Sequence, residues 1–321
     1  MYFGTKERFD YFSCAGCETL QAVRSLTSQE LGRHYPSDYY SYKISDRPSL
    51  LKWFKAQHDR YMLHVGGKLV GAIVEMVPKN LRTVLGAHDS GGDVVAMLGE
   101  LSLRSDARIV DVGCGSGGLL DRLSRSGFTR LLGVDPFLPS DGETPEGVRL
   151  VKGYLDDLAG PFDLIMFNHS LEHVPDPVAT LGAVRERLAA DGVCLVRLPT
   201  TSSDAWNHFR SDWINLDAPR HIVIPSRQGM AIAAESVGLR VEKSIDDSTF
   251  LQFLGSEAYR HDIPLADPNF SRKTIRLFGP KRIWKWQKLA ASLNEEGRGD
   301  WSGFFLRAIR DGQHAEQSAA G

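Results

Sequence analysis

The chain has 321 residues, enough for a complete α/β domain and roughly a hundred residues of additional structure. Its 38 lysines and arginines nearly balance its 40 aspartates and glutamates, and the net charge of −2 gives no basic excess that would attract nucleic acid. We therefore expect no nucleic-acid partner.

The same composition limits the cellular setting. Four cysteines are too few for a disulfide scaffold in a chain of this length. The sequence contains no apolar run of bilayer length, so no integral membrane segment is expected, and no charged-then-apolar leader follows the first residue. These features predict a cytoplasmic protein.

Residues 1–104 are predicted to form an N-terminal extension that is mostly helical. Apolar residues have helical spacing from about 48 to 77, with an interruption at Gly66 and Gly67, and again from about 92 to 101. Four tyrosines within 35–42 belong either to a loop that covers apolar surface or to a lid over a substrate pocket.

The chain is organised around residues 108–120. A β-branched apolar run, typical of a buried parallel strand, ends at Asp111, continues through a glycine-rich turn and becomes a helix with regularly spaced leucines. Glycines allow a positive φ and let a ligand lie against the backbone, while the start of a helix offers unpaired N–H groups. This arrangement predicts a ligand cradle.

The cradle fits two sequence patterns. The dinucleotide pattern G-x-G-x-x-G uses Gly118 as its last glycine, whereas the pattern D-x-G-x-G-x-G uses Gly117. Asp111 distinguishes them, because a carboxylate repels a pyrophosphate but attracts the ammonium and sulfonium charges of S-adenosylmethionine. The loop therefore resembles motif I of the class I S-adenosylmethionine-dependent methyltransferases. An NAD-dependent oxidoreductase is the alternative.

A second buried strand ends at Asp135 and Pro136, and Asp135 lies 18 positions after Gly117. At that distance a carboxylate can accept hydrogen bonds from ribose hydroxyls. The resemblance implies that an adenine-reading acid follows the third strand, but this sequence has Tyr154 there, so either Tyr154 or Asp156 would take that role. The predicted cofactor-binding residues are Asp111, Gly113, Cys114, Gly115, Gly117, Asp135, Pro136, Tyr154, Leu155, Asn168 and His169.

The fourth strand is followed by a polar cluster of Asn168, His169, Glu172 and His173, which resembles motif IV of the ubiquinone-biosynthesis type of methyltransferase. We predict that His173 either contacts the substrate or fixes the turn through a hydrogen bond. A later insertion carries His221, our first choice for a proton acceptor, because a neutral imidazole can take a proton from a hydroxyl. Its alternative is a histidine that is hydrogen-bonded within its own loop.

The class I resemblance implies an α/β fold with a doubly wound, seven-stranded, mostly parallel Rossmann-like sheet whose last strand is antiparallel. We assign 105–248 to the S-adenosylmethionine-binding core, 249–300 to a helical lid insertion, 301–310 to the last core strand and 311–321 to a disordered tail. The lid carries a basic segment, 272–288, which is either a solvated helix face or a patch for a phosphorylated acceptor or an anionic membrane surface.

Cys14 and Cys17 form a single C-x-x-C pair. It supplies two thiolates where a structural zinc takes four ligands, so no metal is assigned, although zinc at this pair stays an open alternative. Bacterial methyltransferases associated with surface polysaccharides look similar in this region, and their resemblance implies that the pair is the remnant of a zinc knuckle, with two reduced thiols, ahead of the helical cap in 1–104. Their resemblance implies a small-molecule acceptor, and we predict O-methylation of a sugar or saccharide intermediate in polysaccharide biosynthesis. A catalytically silent adenosyl-binding partner subunit is the non-enzymatic alternative, and the oligomeric state is left open.

Overall fold

The computed structural model describes residues 2–24, 30, 33–34, 49–77 and 94–310. The tyrosine-rich stretch 35–42 and the predicted tail 311–321 lie outside the described residues. The strands are β1 (Tyr11–Ser13), β2 (Leu20–Ala22), β3 (Arg108–Val112), β4 (Arg130–Val134), β5 (Gly142–Glu143), β6 (Arg149–Val151), β7 (Phe162–Asn168), β8 (Leu188–Pro199), β9 (Val223–Ile224), β10 (Leu239–Asp246) and β11 (Trp301–Ala308).

The helices alternate with these strands through the core of the chain. They are α1 (Ser49–Met62), α2 (Lys68–Met76), α3 (Val94–Gly99), α4 (Gly118–Arg125), α5 (Pro177–Arg187), α6 (Asp204–Phe209), α7 (Arg227–Glu235), α8 (Leu251–Arg260) and α9 (Phe270–Glu295). Helices α5 and α7 each begin with a side-chain cap. Asp176 accepts a hydrogen bond from the backbone N–H of Ala179 before α5, and Ser226 accepts one from Gly229 before α7.

The main sheet has the strand order β10-β11-β8-β7-β3-β4-β6-β5. Strands β8, β7, β3, β4 and β6 run parallel, and β11 is antiparallel to both β8 and β10. The predicted Rossmann-like sheet with an antiparallel last strand is thus confirmed. In an open parallel sheet of this kind, ligands bind at the carboxyl ends of the strands, where the order reverses.

Alternate residues of each central strand enter two different cores. Ile109 of β3 packs in a cluster with helices α3 and α4, while its neighbour Val110 packs in a cluster with α5 and α7. Because successive side chains of a strand point to opposite faces, these contacts show that helices cover both faces of the sheet. The near-continuous apolar runs in the sequence follow from this double coverage.

The structure departs from the sequence prediction in the number of strands. The predicted seven are present, and Gly142–Glu143 adds an eighth, pairing antiparallel with β6 at the sheet edge. Two residues are too few to produce a recognisable alternation of polar and apolar positions. The N-terminal extension likewise contains helices α1 to α3 as predicted, but it also contains the β1–β2 hairpin, which pairs with β9 in a separate three-stranded sheet.

The predicted lid is helical and has a core of its own. Helices α8 and α9 pack with the insertion that follows β8 and with Leu20 of β2, around the fully buried Trp213. The indole N–H of Trp213 donates to the buried carboxylate of Asp300. A kink at Gly279 divides α9, because Gly279 has a φ of 72° and Pro280 follows it. The lid therefore belongs to a unit that includes the insertion and the N-terminal hairpin.

In the described part of the chain, every helix is too short or too polar to cross a lipid bilayer.

A buried ion pair attaches the N-terminal helices to the core. Asp59 of α1 accepts two hydrogen bonds from the guanidinium of Arg122 in α4, at 2.6 and 2.7 Å, and the Asp59 side chain is 1% exposed. Breaking a buried pair by removing one partner leaves the other charge uncompensated.

We expect Asp59→Ala to lower the free energy of unfolding by about 3–5 kcal/mol, because Arg122 loses its carboxylate partner in a buried position. Urea unfolding followed by circular dichroism measures this change. Arg104→Ala is the matched control, since the Arg104–Asp106 pair is exposed and should leave the unfolding midpoint unchanged. Equal midpoints for Asp59→Ala and the wild type would show that the pair contributes nothing to stability.

Candidate active site

The turn between β3 and α4 adopts a conformation that requires glycine. Gly113, Gly115 and Gly117 all have positive φ, at 77°, 53° and 77°. A Cβ added to Gly113 would lie 2.4 Å from the Cβ of Ser170, and one added to Gly117 would lie 2.4 Å from a methyl group of Thr144. Both space and backbone conformation therefore exclude a side chain at these positions.

Gly118 differs from the three glycines before it. It has no positive φ, and a Cβ added there would meet no atom within 4 Å among the described residues. In the dinucleotide pattern the last glycine is needed for close packing of the helix on the strand. The structure therefore favours the pattern that uses Gly117, which is the methyltransferase pattern.

Asp111 ends β3 with a buried, incompletely satisfied carboxylate. The residue is 4% exposed, and its Oδ1 atom has no hydrogen-bond partner in the described residues. Burial, with a smaller contribution from the nearby charge of Asp135, raises the pKa of Asp111 to about 8. A cationic ligand would supply the missing partner and favour the ionised form.

Asp135 fixes the shape of the cradle. One carboxylate oxygen accepts the backbone N–H of Gly115 at 2.9 Å, and the other accepts that of Phe137 at 2.8 Å. Each ionised carboxylate oxygen has a further lone pair, so Asp135 can still accept hydrogen bonds from ribose hydroxyls. Pro136 follows β4 and is half-buried beside it.

The side chain of Cys114 points away from the cradle. Its Sγ lies 2.6 Å from the position that a Cβ on Gly133 would occupy, which places the thiol against β4. Burial raises the pKa of this thiol. Cys114 can therefore reach a ligand in the cradle through its backbone, as Gly115 can, and not through its thiol.

The predicted adenine site follows β6. Tyr154 begins a short 3₁₀ turn, its ring is 65% exposed, and the next residue, Leu155, is buried. Asp156, the alternative adenine-reading residue, lies 3.3 Å from Arg187. This ion pair directs the Asp156 carboxylate toward α5, whereas the side chain of Tyr154 is exposed.

Asn168 and His169 are part of a polar cluster at the end of β7. Arg197 of β8 donates to Asn168 Oδ1 at 3.1 Å and to His169 Nε2, and it pairs with Asp247 at 2.7 Å. His169 has a φ of 57°, a conformation that non-glycine residues rarely adopt and that occurs often at functional sites. The rings of His169 and Trp301 pack edge to face.

Residues 89–244 match a known protein family described as a methyltransferase domain. This match covers the cradle, Asp135, the adenine site and the cluster at the end of β7. Residues 89–244 form a methyltransferase domain of the class I S-adenosylmethionine-dependent type. When bound, S-adenosylmethionine supplies an electrophilic methyl group on a positively charged sulfur.

Curated relatives of the methyltransferase domain include a trans-aconitate 2-methyltransferase from Deinococcus radiodurans, 30% identical over 118 residues, or 35% of this chain and 45% of that protein. A ubiquinone biosynthesis O-methyltransferase from Xylella fastidiosa is 32% identical over 102 residues, or 27% of this chain and 40% of that protein. The matched segment thus spans less than half the length of both relatives. Among solved structures, a cyclopropane synthase from Mycobacterium tuberculosis aligns with a TM-score of 0.41 at 14% identity, over 82% of this chain and 99% of that one.

The imidazole rings of His173 and His221 are in contact at the far end of the polar cluster that follows β7, with ring centroids 4.8 Å apart. The Nδ1 atom of His173 lies 2.8 Å from the carbonyl of Arg220, and that of His221 lies 2.7 Å from the carbonyl of Asn215. Burial is the main cause that lowers the pKa of both imidazoles to about 3, so both are neutral. Each histidine thus has the backbone hydrogen bond of its structural alternative, made through Nδ1.

Glu172 lies between these histidines and His169. Its carboxylate is buried, 3.5 Å from His169 Nδ1 and 3.9 Å from His221 Nε2. Burial raises its pKa to about 8. Three further residues at the site were not predicted from the sequence: Arg197; Asp217, which lies 3.8 Å from His221 Nε2; and Ser170, whose hydroxyl donates to the carbonyl of Val112. A signal existed for Arg197, which is a charged residue inside an apolar strand.

The insertion after β8 forms one wall of a polar cavity of about 380 Å³. Trp206, Asn207 and Arg210 line it from α6 and the turn that follows, and Glu18 lines it from the N-terminal hairpin region. Cys14 and Cys17 lie in a nearby turn, where backbone N–H groups of Cys17 and Gly16 lower the pKa of the Cys14 thiol. Zinc binding by this pair stays an open alternative.

We expect Gly117→Ala to lower the free energy of unfolding by at least about 1–2 kcal/mol, the cost of a left-handed backbone for a non-glycine residue. The clash with Thr144 adds to this cost and should weaken S-adenosylhomocysteine binding. Gly118→Ala should change stability by less than about 0.5 kcal/mol. Urea unfolding and calorimetric binding test both variants. A larger loss of stability and binding in Gly118→Ala than in Gly117→Ala would favour the dinucleotide pattern.

We expect S-adenosylmethionine to bind more weakly as the pH falls below 8. Asp111 is protonated in the free protein below its pKa of about 8, so binding of a cation there must release a proton, which costs up to about tenfold in affinity per pH unit. Above pH 8 this contribution is constant. The measurement is the affinity of the wild type divided by that of Asp111→Asn, from pH 6 to 9. The ligand's own amino group titrates equally in both experiments, so its effect cancels in this ratio. A ratio independent of pH would remove Asp111 from the cofactor site.

Proposed function

We propose that the chain transfers the methyl group of S-adenosylmethionine to a hydroxyl oxygen of a small molecule, a saccharide or a saccharide intermediate. The observation that carries this proposal is the pair of neutral imidazoles, half-buried His173 and buried His221, beside the strand ends that would form the donor site. A hydroxyl that gains a methyl group must lose its proton, and neutral imidazole nitrogen is a suitable acceptor for it.

The donor end supports the same reaction by positioning. The glycine turn, Asp111 and Asp135 offer backbone and carboxylate contacts for the cofactor, so the reacting carbon can be held in a fixed place. Because a sulfonium methyl is already reactive, alignment of donor and acceptor and exclusion of water are the main tasks of the protein.

The polar cavity supports a saccharide as the acceptor. Its lining offers the hydroxyls of Ser202 and Ser203, the amide of Asn207 and the guanidinium of Arg210, together with the indole of Trp206. Such a mixture of hydrogen-bonding groups and an aromatic ring suits a polyhydroxylated ligand. Arg210 and the basic residues of α9 also favour a saccharide that carries a phosphate.

The test is transfer of radioactive methyl from S-adenosylmethionine to defined acceptors. We expect label in sugars, sugar phosphates or nucleotide sugars. Label only in carboxylic acids or phenols would replace the proposed acceptor, and cofactor binding without label in any acceptor or cell-extract fraction would favour a silent adenosyl-binding subunit.

We expect His221→Ala to lower turnover by about 10²–10⁴-fold, the usual contribution of a group that assists proton transfer. Its affinity for S-adenosylhomocysteine should stay within about a factor of two of that of the wild type, because His221 is not among the predicted cofactor-binding residues and substitutions at distant sites act independently. His261→Ala, which removes an exposed histidine at the end of α8, is the matched control. An unchanged rate in His221→Ala would leave that residue with a structural role only.

A further inference from the structure

The geometry points to a binding site for a divalent transition-metal ion formed by Glu172, His173 and His221. One potential ligand atom from each of these residues lies within 4.8 Å of the other two. The residues come from two elements: Glu172 and His173 from the 3₁₀ turn Leu171–His173, and His221 from the loop before β9. A hydrogen bond from the N–H of Ile222 to the carbonyl of Glu172, 2.7 Å long, joins the two.

The carboxylate of Glu172 gives the first independent observation. The residue is 0% exposed, and neither of its carboxylate oxygens has a hydrogen-bond partner among the residues that the structure describes. A buried carboxylate without hydrogen bonds or a counterion is strongly unfavourable, and a bound cation is one of the few ways to compensate it. The oxygens of Glu172 therefore require a partner, and an ion held with the two histidines supplies it.

The orientation of the histidines gives the second observation. A carbonyl oxygen only accepts hydrogen bonds, so the bonds to Arg220 and Asn215 place the proton of each neutral imidazole on Nδ1. The lone pair of each ring is then on Nε2. Metal-binding histidines typically donate their other ring N–H to a backbone carbonyl or a carboxylate in this way, which fixes the tautomer and the ring.

His169 faces Glu172 from outside the cluster. Arg197 donates to His169 Nε2, so the proton of neutral His169 lies on Nδ1, which is 3.5 Å from Glu172 Oε1. This contact is too long to count as a hydrogen bond, so it leaves the lone pairs of the Glu172 carboxylate available to an ion.

The surrounding charges also favour a cation. Asp217 lies 3.8 Å from His221 Nε2 and pairs with Arg220, while Arg197 pairs with Asp247. Glu172 is a third carboxylate at the cluster and takes part in neither of these ion pairs. A bound divalent ion would supply the counter-charge for its ionised form.

The donor set selects the kind of ion. Imidazole nitrogens suit zinc, cobalt and ferrous ions, whereas magnesium and calcium prefer oxygen ligands throughout. Three protein ligands leave at least one coordination position open, as in catalytic rather than structural zinc sites. An acceptor hydroxyl in that position would be polarised and would lose its proton more readily. With the ion bound, the Nε2 lone pairs of His173 and His221 would be occupied, so that proton would pass to solvent and not to either imidazole. This role rests on the proposed function, but binding of the ion does not.

The experiment titrates metal-free protein with Co²⁺ and follows visible absorption. Cys14→Ser/Cys17→Ser is the parent protein, because the thiol pair is a second place where Co²⁺ can bind. We expect the parent to bind one Co²⁺ per chain and Glu172→Gln or His221→Ala in that background to bind at least tenfold more weakly. His261→Asn in the same background should bind as the parent does.

Thermal unfolding provides a second readout that requires no acceptor. Co²⁺ should raise the unfolding temperature of the parent and of the His261→Asn variant, and should leave that of Glu172→Gln and His221→Ala unchanged. Circular dichroism establishes that each variant is folded, and His173→Ala replaces any that is not. Failure of the parent to bind Co²⁺, or equal binding by parent and ligand variants, would overturn the inference. Co²⁺ binding without methyl transfer would contradict only the proposed function.

Discussion

The cofactor half of the protein depends on one backbone constraint. Between β3 and α4 the chain turns in direct contact with Ser170 on one side and Thr144 on the other, and only glycine at positions 113 and 117 permits this approach. The turn presents the N–H of Gly115 to Asp135 and leaves the buried carboxylate of Asp111 with one oxygen that has no hydrogen-bond partner among the described residues. A positively charged ligand is therefore favoured, because it satisfies a group whose burial is otherwise unfavourable.

The two ends of the site use different chemistry. The donor end relies on backbone N–H groups and two strand-end carboxylates, which bind and orient. The acceptor end relies on ionisable side chains removed from water: Glu172 and the imidazoles of His169, His173 and His221. Perturbed groups of this kind concentrate where proteins bind charged ligands or move protons. Among the described residues the carboxylate oxygens of Glu172 have no hydrogen-bond partner, and this is the reason that we place a metal ion at these perturbed groups.

The donor end could be predicted from the sequence because its parts are local and regularly spaced. A β-branched run, a glycine-rich turn and Asp135 after the next strand are visible without knowledge of the fold, and their positions in the structure agree with expectation. The two candidate patterns were separated only by packing, since the sequence does not show that Gly117 abuts Thr144 while Gly118 faces open space. The strand of Gly142–Glu143 was missed because two residues carry no periodic signal.

The acceptor end was harder to predict, because it is assembled from distant segments. The hydrogen bond between the Tyr11 hydroxyl and the carbonyl of His221 joins residues 210 positions apart. No spacing rule links such residues, and their meeting depends on β2 pairing with β9. Likewise, His173 and His221 were each predicted as site residues, but no sequence pattern indicated that their rings would be in contact beside Glu172.

The Tyr11 contact also bears on where the functional unit begins. The family match starts at residue 89, yet the hairpin of β1 and β2 supports the loop of His221 and contributes Leu20 to the core beneath the lid. A protein trimmed to residues 89–244 would lose this hairpin and also β11, which lies between β8 and β10 in the main sheet. The matched segment is therefore not a complete structural unit, because residues on both sides of it support the His221 loop and close the sheet.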